Sequence, residues 1–312
     1  MPRISFIVPL YNCLSLTQAM VASLQATLPA GLAHEIILID DGSTDGTRNW
    51  LGTVSQPPFR VILNERNLGF AATNNRAAAT AEGEFLVLLN NDLVLEPHWL
   101  EPMLAAHRSL GRRAGLVGNV QRDARTGEID HAGIIFNRKA KPEHDRRTPP
   151  WLARTFAPVR RVPAVTAACV LISTARWRQL GGFDEQYVNG GEDVDLCFRA
   201  RAAGCVNAVA LRSVVRHHIS SSAGRKLRDE ANSERLARRW RSEFIRAASR
   251  DWCREYVEAI EVEPRDYDAG LARRLWLHAI GLSQRPPPEA AAALGDALEL
   301  EFVRWQALRD RG

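Results

Sequence analysis

No stretch of the 312 residues approaches the roughly 18 consecutive uncharged apolar residues of a membrane-spanning helix. Residues 1–12 turn polar too soon for a secretory leader and are expected to form a first β-strand instead. Cysteine is scarce: Cys13, Cys169, Cys197, Cys205 and Cys253 are scattered, odd in number and never spaced CxxC. That argues against a zinc site or a disulfide framework and fits reduced thiols in the cytoplasm. The turn after the first strand, Pro9-Leu10-Tyr11-Asn12, carries no GxGxxG, which argues against a dinucleotide-dependent oxidoreductase. Nor does it carry the glycine-rich basic loop with which a nucleotidyltransferase would hold a triphosphate. Internal repeats and low-complexity tracts are also missing.

What is present suits one large α/β domain, or such a domain with a helical extension. Hydrophobic residues make up 46% and charged residues 25%, as in ordinary globular chains. The net charge of +5 and pI near 9.2 favour anionic substrates or surfaces. No nucleic-acid motif accompanies that charge, so no nucleic-acid partner is expected. Short apolar runs at 4–9, 35–39, 60–64, 84–89 and 115–120 alternate with helical patterns. The helices are expected from a capping box at Ser15–Gln18 to about Leu28, from Ser43 or Thr44, over 70–80 and over 97–107. Continuous apolar strands between helices predict a parallel sheet covered on both faces. Beyond it lie a hairpin at 129–136, a long surface loop at 139–158 and a strand at 165–173. A helix at 192–203, a strand at 206–211 and a charged helical region from about 222 follow, with a last helix at 289–308.

Four constellations carry oxygen or nitrogen groups where such a sheet binds ligands, at the carboxyl ends of strands. Asp40 and Asp41 end the second strand, and a carboxylate there can accept the N3–H of uracil or thymine. Adjacent carboxylates repel, a cost that capping alone does not require, whereas Asp45 reads as a cap. Asn90, Asn91 and Asp92 end another buried strand; they read equally as a polar turn or as oxygen ligands for Mg²⁺ or Mn²⁺. Gly190-Gly191-Glu192-Asp193-Val194-Asp195 places three acids in a first helical turn. Such acids offset the macrodipole, and one of them can serve as a general base. Glu192 and Asp193 cannot face the same way, so one is expected to point to the site and the other to support it. His217 and His218 follow a strand and offer a metal ligand, though such pairs are commonly structural.

Taken with Asn67-Leu68-Gly69-Phe70, Asn74-Asn75 and Gly181-Gly182-Phe183-Asp184-Glu185, the order of these motifs resembles the family 2 glycosyltransferases, most closely their rhamnosyltransferase-like members. The resemblance covers residues 3–225. It implies a GT-A fold, a Rossmann-like, mostly parallel sheet flanked by helices, over residues 1–222. The nucleotide-sugar half would be 1–120 and the acceptor half 121–222, with a C-terminal helical region at 223–312. By resemblance, Pro9, Tyr11, Asp40 and Asp41 hold the base and ribose, and Asn67, Gly69 and Asn74 line the donor. Asn90 and Asn91 lead to Asp92, the one anion left of an Asp-X-Asp metal motif, and His217 completes the metal shell. Asp193, paired with Glu192, is the implied base of an inverting, Mn²⁺- or Mg²⁺-dependent hexosyl or rhamnosyl transfer. The implied donor is a UDP- or dTDP-sugar and the acceptor a cell-surface glycan, a lipid-linked saccharide or a protein hydroxyl. A cytoplasmic location at the inner membrane face is expected. The stretches 121–144 and 162–169, with Ala167 where the family often has glycine, are expected on the acceptor side. The Arg-rich helix at 235–254 offers a solvated face, a dimer surface or a peripheral membrane contact. Asn90, where the family has aspartate, leaves a second possibility, a nucleotide-sugar-binding protein with impaired catalysis.

Overall fold

The computed structural model describes residues 3–54, 56–137, 141–149, 151–218, 229–262 and 268–310. It divides into two compact units, residues 1–134 with 144–228, and residues 135–143 with 229–312.

The first unit begins with β1 (Ile4–Leu10), α1 (Leu14–Thr27), β2 (His34–Asp40), α2 (Thr47–Leu51), β3 (Phe59–Leu63), α3 (Phe70–Thr80) and β4 (Phe85–Leu89). After β5 (Leu93–Leu95), α4 (Leu100–Leu110) and a single 3₁₀ turn come β6 (Ala114–Asp123) and β7 (Ile129–His131); the next two strands, β8 (Ile134–Phe136) and β9 (Pro142–His144), fall mostly in the second unit. Then follow α5 (Trp151–Phe156), β10 (Val159–Arg161), β11 (Cys169–Ser173), α6 (Thr174–Leu180), α7 (Glu192–Ala202) and β12 (Val206–His217). Ten strands form one sheet in the order β10-β12-β6-β11-β4-β1-β2-β3, with β5 beside β12 and β7 beside β6. The β4-β1-β2-β3 half is parallel, as the continuous apolar runs require. β11 enters antiparallel between β4 and β6. Phe6, Val8, Ile36, Leu38, Val87 and Leu89 from this sheet join Met20 and Leu24 of α1, Met103 of α4 and Trp99 just before α4 in the main core.

Several local expectations are corrected. α1 starts at Leu14, ahead of the expected capping box, because its Leu14 amide is capped from outside by Asp45 Oδ2 at 3.1 Å. No helix starts at Ser43 or Thr44: the Ser43 amide is taken by Asp40 and the Thr44 amide by Asn12 Oδ1, so α2 begins at Thr47. The hairpin expected at 129–136 does not form, since β7 pairs with β6 and β8 with β9. The expected loop at 139–158 holds β9 and α5. The strand at 165–173 shortens to β11, because the backbone of 167–168 bonds elsewhere. β12 runs on to His217 because 214–217 find partners on both β6 and β5.

Besides most of β8 and β9, the second unit holds α8 (Asp229–Arg239), α9 (Arg241–Val262), α10 (Ala269–Ala279) and α11 (Pro288–Arg309). The Arg-rich span at 235–254 is two helices, broken at Trp240. The expected helical start at 222–228 lies outside the described residues. Cys253, Leu275 and Ala290 form its small core, where Ser249 Oγ meets His278 Nε2 at 2.8 Å. Among the described residues no helix is long and apolar enough to cross a membrane.

Candidate functional site

The carboxyl ends of β1, β2 and β4 lie side by side, and the loops that leave them are locked together by side chains. Asn12, in the left-handed region at φ 56°, accepts the amides of Thr44 (2.8 Å) and Asp45 (3.3 Å) on Oδ1. Its own amide donates to Ser43 Oγ at 2.8 Å, so the loops after β1 and β2 move as one piece. Asp40 is fully buried and accepts the Gly42 and Ser43 amides at 3.2 Å and Arg48 Nε at 2.8 Å. Asp41, also buried, reaches the other way, accepting Asn64 Nδ2 (2.8 Å), the Leu68 amide (2.8 Å) and the Gly69 amide (3.0 Å). Both aspartates therefore shape the loops that surround the strand ends. Gly42 has φ +79°, and a Cβ there would come within 2.7 Å of the Asn67 amide nitrogen, so the close approach of these loops requires glycine. Burial raises the pKa of Asp45, but hydrogen bonds from Thr47 and the Leu14 amide outweigh it and hold its carboxyl below the ordinary value.

Around these loops Tyr11 stands 48% exposed and Asn67 is exposed, its Oδ1 accepting the Gly69 amide. Asn74 is buried on α3; its Nδ2 donates to the Phe70 carbonyl while Oδ1 has no partner. Sequence reasoning missed Asn64 and Arg48. Arg48 bonds both Asp40 and the Asn64 carbonyl, and Asn64 bridges Asp41, Thr73 and Arg76. An asparagine at a strand end gives no distinctive pattern; only the fold shows it buried between two aspartate-led loops.

At the end of β4 the three polar residues part company. Asn91 is structural, its Nδ2 donating to Thr17 Oγ1 on α1 at 2.9 Å. Asn90 keeps a buried Oδ1 with no partner. Asp92 lies opposite the end of β12, because the Leu93–His217 strand pair and the bond from the His218 amide to the Asp92 carbonyl (3.0 Å) fasten the two segments. His217 Nε2 and Asp92 Oδ1 sit 3.1 Å apart, both residues buried, yet neither atom makes a hydrogen bond. A carboxylate oxygen facing an imidazole nitrogen, neither engaged in a hydrogen bond, is a donor pair that suits a divalent cation. No three His, Cys, Asp or Glu side chains gather on one point among the described residues. The remaining ligands would come from Asn90, water or substrate oxygens.

α7 is preceded by Gly190 and by its capping residue Gly191, at φ +93°. Glu192 turns inward: it is buried and its Oε2 accepts the Gly190 amide at 2.7 Å. Asp195 is fully buried and paired with Arg199 at 2.7 Å. Asp193, alone of the three acids, is partly exposed. Its Oδ1 accepts the Val194 amide (2.8 Å) and its Oδ2 the Ala167 amide (3.2 Å). The next residue, Ala168, accepts the Asn90 amide at 2.8 Å, so a single dipeptide links the α7 carboxylate to the end of β4. That is why 167–168 leaves the strand. Cys169 beneath it is fully buried with its thiol pushed up by burial, a packing residue that accepts a bond from Asn119.

Beside this region Asp130 pairs with His144 (3.3 Å) and Arg146 (3.2 Å), and the His144 hydrogen bond leads the effects that hold its carboxyl down to about 2. His131 is fully buried against His144, and burial keeps it neutral, well below its ordinary range. Asp145 binds Arg147 (2.8 Å) and Arg160 (3.1 Å).

Comparison with known proteins places this arrangement. The sequence profile described as Glycosyl transferase family 2 matches residues 5–164, just over half of the chain. An uncharacterized protein, y4gI, of Sinorhizobium fredii is 30% identical over 77% of this chain, which spans only 28% of that protein's length. The N-acetylglucosaminyl-diphospho-decaprenol L-rhamnosyltransferase of Mycobacterium tuberculosis is 29% identical over 69% of this chain and 75% of its own. Among solved structures, GalNAc-T7 with UDP, GalNAc and Mn²⁺ superposes with a TM-score of 0.64 at 18% identity, covering 88% of this chain and 54% of that one. The mostly parallel sheet with flanking helices is thus the GT-A fold, and the chain belongs to glycosyl transferase family 2.

Proposed function

We propose that this chain transfers a sugar from a UDP- or dTDP-sugar to a hydroxyl acceptor, a cell-surface glycan or lipid-linked saccharide, with inversion at the anomeric carbon. The observation that carries the proposal is the Asp92–His217 pair, 3.1 Å apart and free of hydrogen bonds. It stands one dipeptide contact from the only partly exposed acid of α7's first turn. Asp193 is the general base: the Ala167 amide aims its carboxylate, and the partly exposed side chain takes the acceptor proton as the new glycosidic bond forms. Glu192, bonded to the Gly190 amide, positions the turn. The transition state is oxocarbenium-like, and direct displacement needs no nucleophilic carboxylate. Asp92 and His217, with Asn90 two residues before Asp92 as a further oxygen donor, would hold Mn²⁺ or Mg²⁺, which would supply positive charge to the donor's diphosphate. On the donor side Pro9 and Tyr11 flank the base. Asp41 receives three donors, and a carboxylate has roughly four lone-pair sites, leaving capacity for a base N3–H. Asp40 fixes the turn, and Asn67, Gly69, Asn74 and Asn91 line or brace the donor loops.

A thermal-shift screen against nucleoside diphosphates and their sugars, with and without Mn²⁺, tests the proposal, because a ligand that binds only the folded state raises the melting point. A metal-dependent shift by UDP or dTDP is expected; a folded protein that responds to no nucleotide overturns the donor assignment. The neutral Asn90 favours a second reading, a nucleotide-sugar-binding protein with impaired catalysis. Mn²⁺-dependent hydrolysis of the donor that binds excludes it.

A further inference from the structure

The chain's surplus of positive charge comes from one stretch of its sequence. Residues 121–161 hold ten basic and five acidic residues, a surplus of five that equals the net charge of the whole protein; the rest, 31 basic and 31 acidic, is balanced. The same segment contains α5, a six-residue helix whose Trp151 and Phe156 are 70% and 77% exposed. Their exposure is built in. Arg212 of β12 donates to the carbonyls of Arg154 (2.7 Å) and Thr155 (2.5 Å), and the Leu211 amide donates to the Pro158 carbonyl (2.8 Å). The backbone of α5 is thereby fastened to the sheet while both aromatic rings face outward. Arg154 within the helix and Arg161 just after it are exposed too, as are Arg146 and Arg147 before it.

We propose that α5 and its neighbouring arginines dock on an anionic lipid bilayer. Tryptophan and phenylalanine favour the boundary between headgroups and acyl chains, while arginines remain among anionic headgroups, so one surface satisfies both features. The contact is peripheral, and it is assigned to α5 rather than to the C-terminal helices that the sequence suggested. It stands apart from the proposed transfer reaction, since lipid binding is measured without donor or acceptor.

The test is co-sedimentation of the full chain with vesicles of phosphatidylcholine containing phosphatidylglycerol, and with phosphatidylcholine alone. Binding to the anionic vesicles, weak or absent on phosphatidylcholine alone and reduced by salt, is expected. The variant carrying Trp151→Ala and Phe156→Ala should lose roughly tenfold or more in partition for each ring. The variant carrying Arg154→Gln and Arg161→Gln should lose about fivefold per charge. All four side chains are exposed, and an unchanged melting temperature verifies folding. A wild-type chain that leaves anionic vesicles in the supernatant overturns the proposal. So does binding that ignores the two aromatics, which would mark attraction to any polyanion. Loss through Leu300→Ser and Val303→Ser, two exposed residues of α11, with the α5 variants unaffected, moves the contact to the second unit and overturns it equally.

Discussion

Replacing Asp41 with asparagine isolates the strut that holds the 67–69 loop. Asp41 is buried and accepts three hydrogen bonds, from Asn64 Nδ2, the Leu68 amide and the Gly69 amide, at 2.8, 2.8 and 3.0 Å. Hydrogen bonds to a charged partner contribute about 1.5–3 kcal/mol each, and neutral ones about 1 kcal/mol. Asparagine keeps one acceptor oxygen but turns an NH₂ toward groups that are themselves donors. At least one amide therefore loses its partner, and the surviving bonds lose their charge. The net cost is about 3 kcal/mol, a large share of the 5–15 kcal/mol that stabilises a typical domain. Hydrogen exchange reads it locally: at 1.4 kcal/mol per tenfold change, the amides of Leu68 and Gly69 should exchange about a hundredfold faster in Asp41→Asn. Amides in the α9–α10 pair, in the other compact unit, should be unchanged. Leu68 and Gly69 protected as in the wild type would refute the assignment of Asp41 as the strut, and with it the claim that the second aspartate shapes the 67–69 loop.

Asp193→Asn is expected to keep nucleotide-diphosphate binding and to lose transfer by several orders of magnitude, checked by single-turnover transfer beside thermal shift. Asp92→Ala and His217→Ala should each remove the Mn²⁺ dependence of donor binding; an unaltered metal-dependent shift would take that residue out of the site. Asp130 is held down to about 2, below an aspartate's ordinary 3.8, so its stabilising effect is complete above about pH 4 and fades as pH falls toward 2. Asp130→Asn should thus cost up to about 2 kcal/mol in urea titrations near pH 7 and almost nothing near pH 2.

The strand-end chemistry was legible in the sequence because it is local. A buried apolar run followed by Asp40-Asp41-Gly42 or Asn90-Asn91-Asp92 forces polar groups to the carboxyl edge of a parallel sheet, wherever the rest of the chain goes. Alanine-rich α3 was equally readable, down to its ends at Phe70 and Thr80, from propensity alone. Other features depended on partners distant in sequence. The start of α1 was decided by Asp45, and that of α2 by amides that Asp40 and Asn12 had already taken. The length of β12 was decided by β5 and β6. Which carboxylate of the Glu192–Asp193 pair faces inward was also settled in three dimensions. Glu192 and Asp193 are both acids in a first helical turn, but only the fold buries one against Gly190 and leaves the other beside Ala167. Local sequence thus determined which chemistry reached the sheet edge. Contacts between segments up to more than a hundred residues apart, such as Asp92 with His217, decided which of those groups were consumed as struts and which stayed free, because a buried polar atom's role is set by whether another chain segment satisfies it.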